Sequence, residues 1–150
     1  MTDLFITIFR LLLAVVLGGM IGWERSHQHK PAGFRTHILV CMGSTLFMLV
    51  SLYMHEAFKE QGPADPGRIA AQVVTGIGFI GAGTIWVSAG SVRGLTTAAS
   101  LWTAAGVGLA IGSGYYSAAI TSTLIVLGTL VVLSRLESRW RKQFDRDDEP

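Results

Sequence analysis

The sequence has one cysteine, Cys41, so no disulfide can close within the chain and no multi-cysteine metal site can form. Cys41 lies inside an apolar run, where a small buried or lipid-facing residue is expected. Charge is also scarce: 15% of the 150 residues are Asp, Glu, Lys or Arg, against roughly 25% in a soluble domain. The net charge of +2 is too small to argue for nucleic acid, and the basic residues stand beside apolar segments instead. No serine, histidine and carboxylate set and no zinc-protease motif occurs, so the residues make no case for an enzyme and imply no cofactor. The first apolar run has neither a basic leader nor an A-x-A-like cleavage site, which argues against a removed signal peptide. The longest polar stretches, about 56–68 and the tail after 133, leave no room for a separate soluble domain.

What the chain does have is hydrophobic length. Half of its residues are hydrophobic and 18 are glycine, a composition that suits closely packed membrane helices. Five runs, at about 4–22, 36–55, 69–87, 96–111 and 116–133, approach the roughly 20 residues needed to cross a hydrocarbon core. The runs are continuous rather than alternating, so the spans are predicted to be helices, not barrel strands. The basic residues orient them. Arg25, Lys30 and Arg35 fall between runs one and two, Arg93 between three and four, and Arg135, Arg139, Arg141, Lys142 and Arg146 after the fifth. With five spans these share one side, and the opposite side keeps Lys59 and Arg68. The fold class is therefore an all-α integral membrane bundle of five transmembrane helices, N-terminus out and C-terminus cytoplasmic. Residues 1–135 form the membrane domain and 136–150 a basic, then acidic, cytoplasmic tail. Trp140 and Phe144 among the tail's basic residues suit a segment lying on anionic lipid. Its acidic end, 145–149, reads as solvated and disordered.

Local signals refine the picture. Asp65 before Pro66 is a good start for the third span, and Thr36 can cap the second. Gly112, Ser113 and Gly114 make a tight connection between the last two. Small residues recur four apart: Gly18 and Gly22, Gly78 and Ala82, and Ala104, Gly108 and Gly112. Such stripes let helix backbones approach; the sequence leaves open whether they serve packing within the chain or self-association. Gly76-Ile77-Gly78-Phe79-Ile80-Gly81 matches a dinucleotide fingerprint, but without a strand before it the match is a decoy. His27 and His29 read as a solvated loop, and His37 and His55 as half-buried polar tips near span ends.

Charges inside spans cost roughly 2.5–3.5 kcal/mol, so they have a partner or a purpose. Arg10 is the clearest; Asp65 is its candidate partner, with snorkelling to the headgroups as the alternative. Arg68 and Gln72 share a helix face that Gly76 continues, a stripe fit to line a cavity. Glu24, Arg25, Arg35 and Arg93 form a net positive cytoplasmic rim. That rim suits an anionic lipid, a phosphate or a partner's carboxylate better than a bare divalent cation.

Three motifs then point to a family. Gly22-Trp23-Glu24-Arg25 is followed by Lys30-Pro31-Ala32-Gly33-Phe34-Arg35-Thr36-His37. A second run opens with Asp65-Pro66-Gly67-Arg68-Ile69-Ala70-Ala71-Gln72 and continues to Gly83. The third is Val92-Arg93-Gly94-Leu95-Thr96-Thr97-Ala98-Ala99. Together, over about 5–135, they resemble the membrane domain of the MgtC/SapB family, and the opening around Arg10 adds to the likeness. The resemblance implies a bacterial inner-membrane protein with five spans, linked to magnesium homeostasis, growth at low magnesium and survival inside macrophages. It implies a membrane-embedded regulator acting through helix contacts, with the ATP synthase as a partner, or alternatively an oligomeric transporter or channel for Mg2+ or another small solute. Full-length relatives carry a soluble ACT-like domain after the last span, so this chain is expected to be a short form. The functional candidates carried onto it are Arg10, Glu24, Arg25, Lys30, Arg35, Asp65, Arg68, Gln72 and Arg93, with Thr96 and Thr97. Besides the lipid bilayer, a homo-oligomer is an expected partner; nucleic acid is not.

Overall fold

In the computed structural model, the backbone is described for residues 2–60, 65–88 and 90–147, and the side chains for 4–60, 65–88 and 90–136. Five helices and one short hairpin make up these residues. Helix α1, Thr2–His27, is an unbroken apolar run that stops where His29 turns to φ 51° ahead of Pro31, which cannot extend a helix. Helix α2, Phe34–Phe58, follows Gly33. Its first N–H donates to Ser26 Oγ at 2.8 Å, so this N–H is satisfied from the last turn of α1 and not by Thr36, which lies inside the helix. Helix α3, Gly67–Ala82, starts one residue later than expected, with Pro66 and not Asp65 in the cap position; Asp65 Oδ1 still accepts from the Gly67 N–H at 2.7 Å.

The third span departs from expectation at its far end, because α3 stops at Ala82 rather than continuing to 87. Gly81 and Gly83 weaken the last turn, and the Thr84 hydroxyl donates to the Gly81 carbonyl at 2.7 Å. The β-favouring run Ile85-Trp86-Val87 then becomes strand β1, Trp86–Ser88, paired antiparallel with β2, Ser91–Arg93, so that Trp86 faces Arg93. Helix α4, Leu95–Ser113, starts after Gly94, whose φ is 91°. A Cβ there would collide with the Thr84 carbonyl, so the crossing of hairpin and helix requires glycine. Gly114, at φ 84°, closes α4, with its own N–H and that of Tyr115 donating to the Ile111 and Ala110 carbonyls. This is the tight connection the sequence announced. Helix α5, Tyr116–Asp147, continues through Arg, Lys, Gln and Glu residues of good helix propensity. Residues 145–147 are therefore helical where a disordered end was expected. The tail side chains Arg139, Arg141, Lys142, Arg146, Trp140 and Phe144 lie outside the described residues.

Helix α4 is the axis of the bundle. Leu101, Ala104, Val107 and Ile111 are buried on it; Val107 and Ile111 cluster with Ala14 and Leu17 of α1, Cys41 of α2 and Ala119 of α5, and Ala104 with Ile21 of α1 and Leu130 of α5. The glycine stripes of α1 and α4 are consumed here. A Cβ on Gly18 would meet Cys41 and His37, one on Gly108 would meet Cys41 and Ser44, and one on Gly112 would meet Thr45 and Met48. Thr45 laces this seam, its hydroxyl facing the Cys41 and Gly108 carbonyls at 3.0 and 2.9 Å. The α3 stripe is different: a Cβ on Gly78 would enter open space and Ala82 is exposed.

Four helices, α1, α2, α4 and α5, are long and apolar enough to cross a membrane, and their outer faces present Phe5, Phe9, Leu39, Phe47, Leu124 and Ile125. At 16 residues, α3 extends about 24 Å, short of the roughly 30 Å hydrocarbon core.

Candidate functional site

Arg10 meets the α4–α5 corner instead of Asp65. Its Nη1 donates to the Gly112 carbonyl at 2.8 Å and its Nε to Tyr116 Oη at 3.0 Å, with the guanidinium beside the Tyr116 ring. Gly112 is in the last turn of α4, where carbonyls lack helical partners and the dipole favours a cation. The costly charge is thus a helix cap, and Asp65 serves its own helix. Arg10→Leu is expected to lower unfolding free energy by about 1.5–3 kcal/mol, the value of hydrogen bonds from a charged donor. Arg10→Lys should recover only part of the loss, since an ammonium lacks the fork that reaches both acceptors. Thermal unfolding in detergent measures both.

At the opposite end of the bundle, five of the sequence candidates meet. The last turn of α1 supplies Arg25, the α1–α2 connection Lys30, the hairpin Arg93, and the first turn of α4 Thr96 and Thr97. With Trp86, Val92, and Leu130, Leu133 and Ser134 of α5, they line a cavity of about 800 Å³. The connection is held in shape by backbone bonds from Gln28, His29 and Lys30 back to Glu24, Ser26 and Arg25. Arg25 is 2% exposed, and its Nε donates to Glu24 Oε2. Glu24 is buried too, and its Oε1 has no hydrogen bond among the described residues.

His37 locks this end. It is fully buried, not half-buried, and lies one turn into α2. Its Nδ1 lies 2.9 Å from the Gly33 carbonyl, which only accepts, so Nδ1 carries a proton. Its Nε2 lies 3.0 Å from the Ser100 hydroxyl, which is also 2.8 Å from the Thr97 carbonyl, so the one hydroxyl proton is shared between these two acceptors. A continuous polar chain therefore ties the start of α2 to the first turn of α4, directly behind the cavity. The sequence signal for it, a histidine and a serine 63 residues apart on two apolar helices, has no local pattern to read.

The remaining candidates lie elsewhere. Arg35 points to a separate groove between α2 and α3, lined also by Gln72 and Gly76. The expected Arg68–Gln72–Gly76 stripe therefore lines a cavity only in its inner part, with Arg68 on the exposed start of α3. The glycine fingerprint sits wholly within α3, away from any strand–turn–helix. Among the described residues, no three His, Cys, Asp or Glu side chains come together to hold a metal ion. The sequence did not single out Trp86, which was assigned to the third span, nor the α5 wall, whose residues carry no motif; Val92 stood only as the first residue of the third motif.

Long apolar helices packed around α4, with charged side chains gathered at one end, define a multi-pass membrane protein of the helical-bundle class. The chain belongs to the MgtC family, whose profile matches residues 11–139. It is 48% identical over 134 residues to YhiD of Escherichia coli K12, a protein named as a candidate magnesium transporter, covering 88% of this chain and 62% of that one. It is 43% identical over 136 residues to the MgtC protein of Salmonella typhimurium, with 91% and 56% covered. With the MgtC protein of Brucella abortus it shares 42% identity over 123 residues, with 82% and 49% covered. The chain thus spans less than two thirds of the length of these relatives. No solved structure gives a significant match.

Proposed function

We propose that the chain is a bacterial inner-membrane protein that serves magnesium homeostasis and adaptation to low magnesium as a membrane-embedded regulator. The observation that carries this reading is the charge of the cavity. Arg25, Lys30 and Arg93 converge where a passing divalent cation would need oxygen ligands. Regulation then works through helix contacts on another membrane complex, with the ATP synthase the first partner to test. The accompanying topology is five crossings with the N-terminus outside. The cavity gathers the ends of α1 and α5 with the hairpin and the start of α4, while Ser51 Oγ donates to the Pro66 carbonyl at 2.5 Å at the other end of α2. An alternating path through five helices is consistent with both contacts, and the basic residues beside the cavity support a cytoplasmic side for it.

A second reading, an oligomeric transporter or channel for Mg2+ or another small solute, draws on α3. Phe79 is 87% exposed, Gly78 faces open space, and the α2–α3 groove of about 720 Å³ is open along its length. A second copy of the chain would cover these. Photocrosslinking from position 79 in cells shifted to low magnesium separates the two. Adducts to a subunit of another membrane complex support regulation, whereas adducts exclusively between copies support the oligomer.

A further inference from the structure

We propose that the cavity at the start of α4 is a binding site for a phosphate-bearing anion, held by Arg25, Lys30, Arg93, Thr96 and Thr97. The chemistry of the lining is one-sided. Three permanent cations face the space and no carboxylate among the described residues lines it; Glu24, the adjacent one, is turned to Arg25. Lys30 and Arg93 make no hydrogen bond or ion pair through their side chains with any described residue.

Two largely buried residues line this space with donors that make no hydrogen bond among the described residues. Arg25 is 2% exposed and spends its Nε on Glu24, leaving the Nη1 and Nη2 donors without a hydrogen bond among the described residues. A guanidinium edge of this kind matches two oxygens of a phosphate. Thr97 is likewise 2% exposed, and its hydroxyl makes no hydrogen bond among the described residues. Both residues line the cavity, and their spare donors leave a place there for an acceptor.

The backbone adds to this. Helix α4 has no side-chain cap at its N-terminus, so the N–H groups of Leu95, Thr96 and Thr97 lack helical partners and the helix dipole is positive there. A phosphate needs several donors and compensating positive charge from one side, and this lining offers both. The site lies where apolar helices end, and Trp86, Leu130 and Leu133 form an apolar wall. A phospholipid headgroup and free phosphate carry the same recognised chemistry. The proposal stands on this cavity alone and holds whether the chain regulates or conducts.

The test has two arms on the full chain. Purified protein is titrated with inorganic phosphate by calorimetry, with chloride as control, and reconstituted protein is analysed by native mass spectrometry for retained phosphatidylglycerol against phosphatidylcholine. Phosphate binding places the source in solution; selective retention of phosphatidylglycerol places it in the bilayer; either supports the site. Lys30→Gln with Arg93→Gln should weaken the positive arm at least tenfold. Thr96→Val with Thr97→Val, which keeps size and charge, should weaken it several-fold, and it serves as the readout where the charge variant does not fold. Binding in neither arm, or binding that both variants leave unchanged, overturns the proposal.

Discussion

Glu24→Ala is expected to destabilise the protein by about 3–5 kcal/mol, because it leaves the Arg25 guanidinium buried without its carboxylate. Arg25 is 2% exposed and Glu24 8%, so the charge left behind would stay largely desolvated. The pair is a structural necessity once one member is present; it is weak evidence for stability as a pair. Replacing both by leucine should therefore recover most of the lost stability, since well-packed apolar side chains often match a buried ion pair. A double-mutant cycle in detergent, read by thermal unfolding, checks this: the two single losses should far exceed that of the double variant. Additive losses would show that the contact carries no coupling. The leucine pair should still abolish anion binding, which separates the fold from the site.

Gly108→Leu should be at least as damaging, with more than about 3 kcal/mol lost or no folded protein recovered, beyond the usual range for overpacking. The reason is that the first added carbon already meets the Cys41 carbonyl and the Ser44 side chain. Backbone cannot rotate aside as a flexible side chain does, so α2 and α4 must part along the seam that Thr45 bridges. Gly106→Leu, two residues earlier, faces open space and should be neutral or slightly stabilising through helix propensity. Size-exclusion profiles of the two variants after heating supply the comparison. Because Gly108 is spent on packing within the chain, its loss reports on folding and not on a partner.

Much of the fold was legible because lipid leaves a chain few choices. Long apolar runs must satisfy their own backbones, and the runs for α1, α2, α4 and α5 did so close to their expected bounds. The Asp65 start and the Gly114 stop were visible as local chemistry. The end of α3 was not, since Ile85-Trp86-Val87 is as apolar as a span and only the glycines before it and the paired strand after it decide its conformation. Arg10 was recognised as costly, but its partner is a backbone carbonyl 102 residues away, which no residue type advertises. For the site, the basic motifs were readable one by one, and the convergence of Arg25, Lys30, Arg93, Thr96 and Thr97 was half anticipated as a positive rim. Arg35 was wrongly included, because closeness to a span end does not fix which side of a helix a residue occupies.

The central claim is that this end of the bundle attracts anions and is no path for Mg2+. Magnesium flux into liposomes carrying the purified, oriented protein tests it most directly, with an Arg93→Ala variant alongside. The account predicts no flux above that of empty liposomes for either protein. Saturable Mg2+ flux in the wild type that Arg93→Ala abolishes would contradict it, and would put the cationic cavity on a transport path.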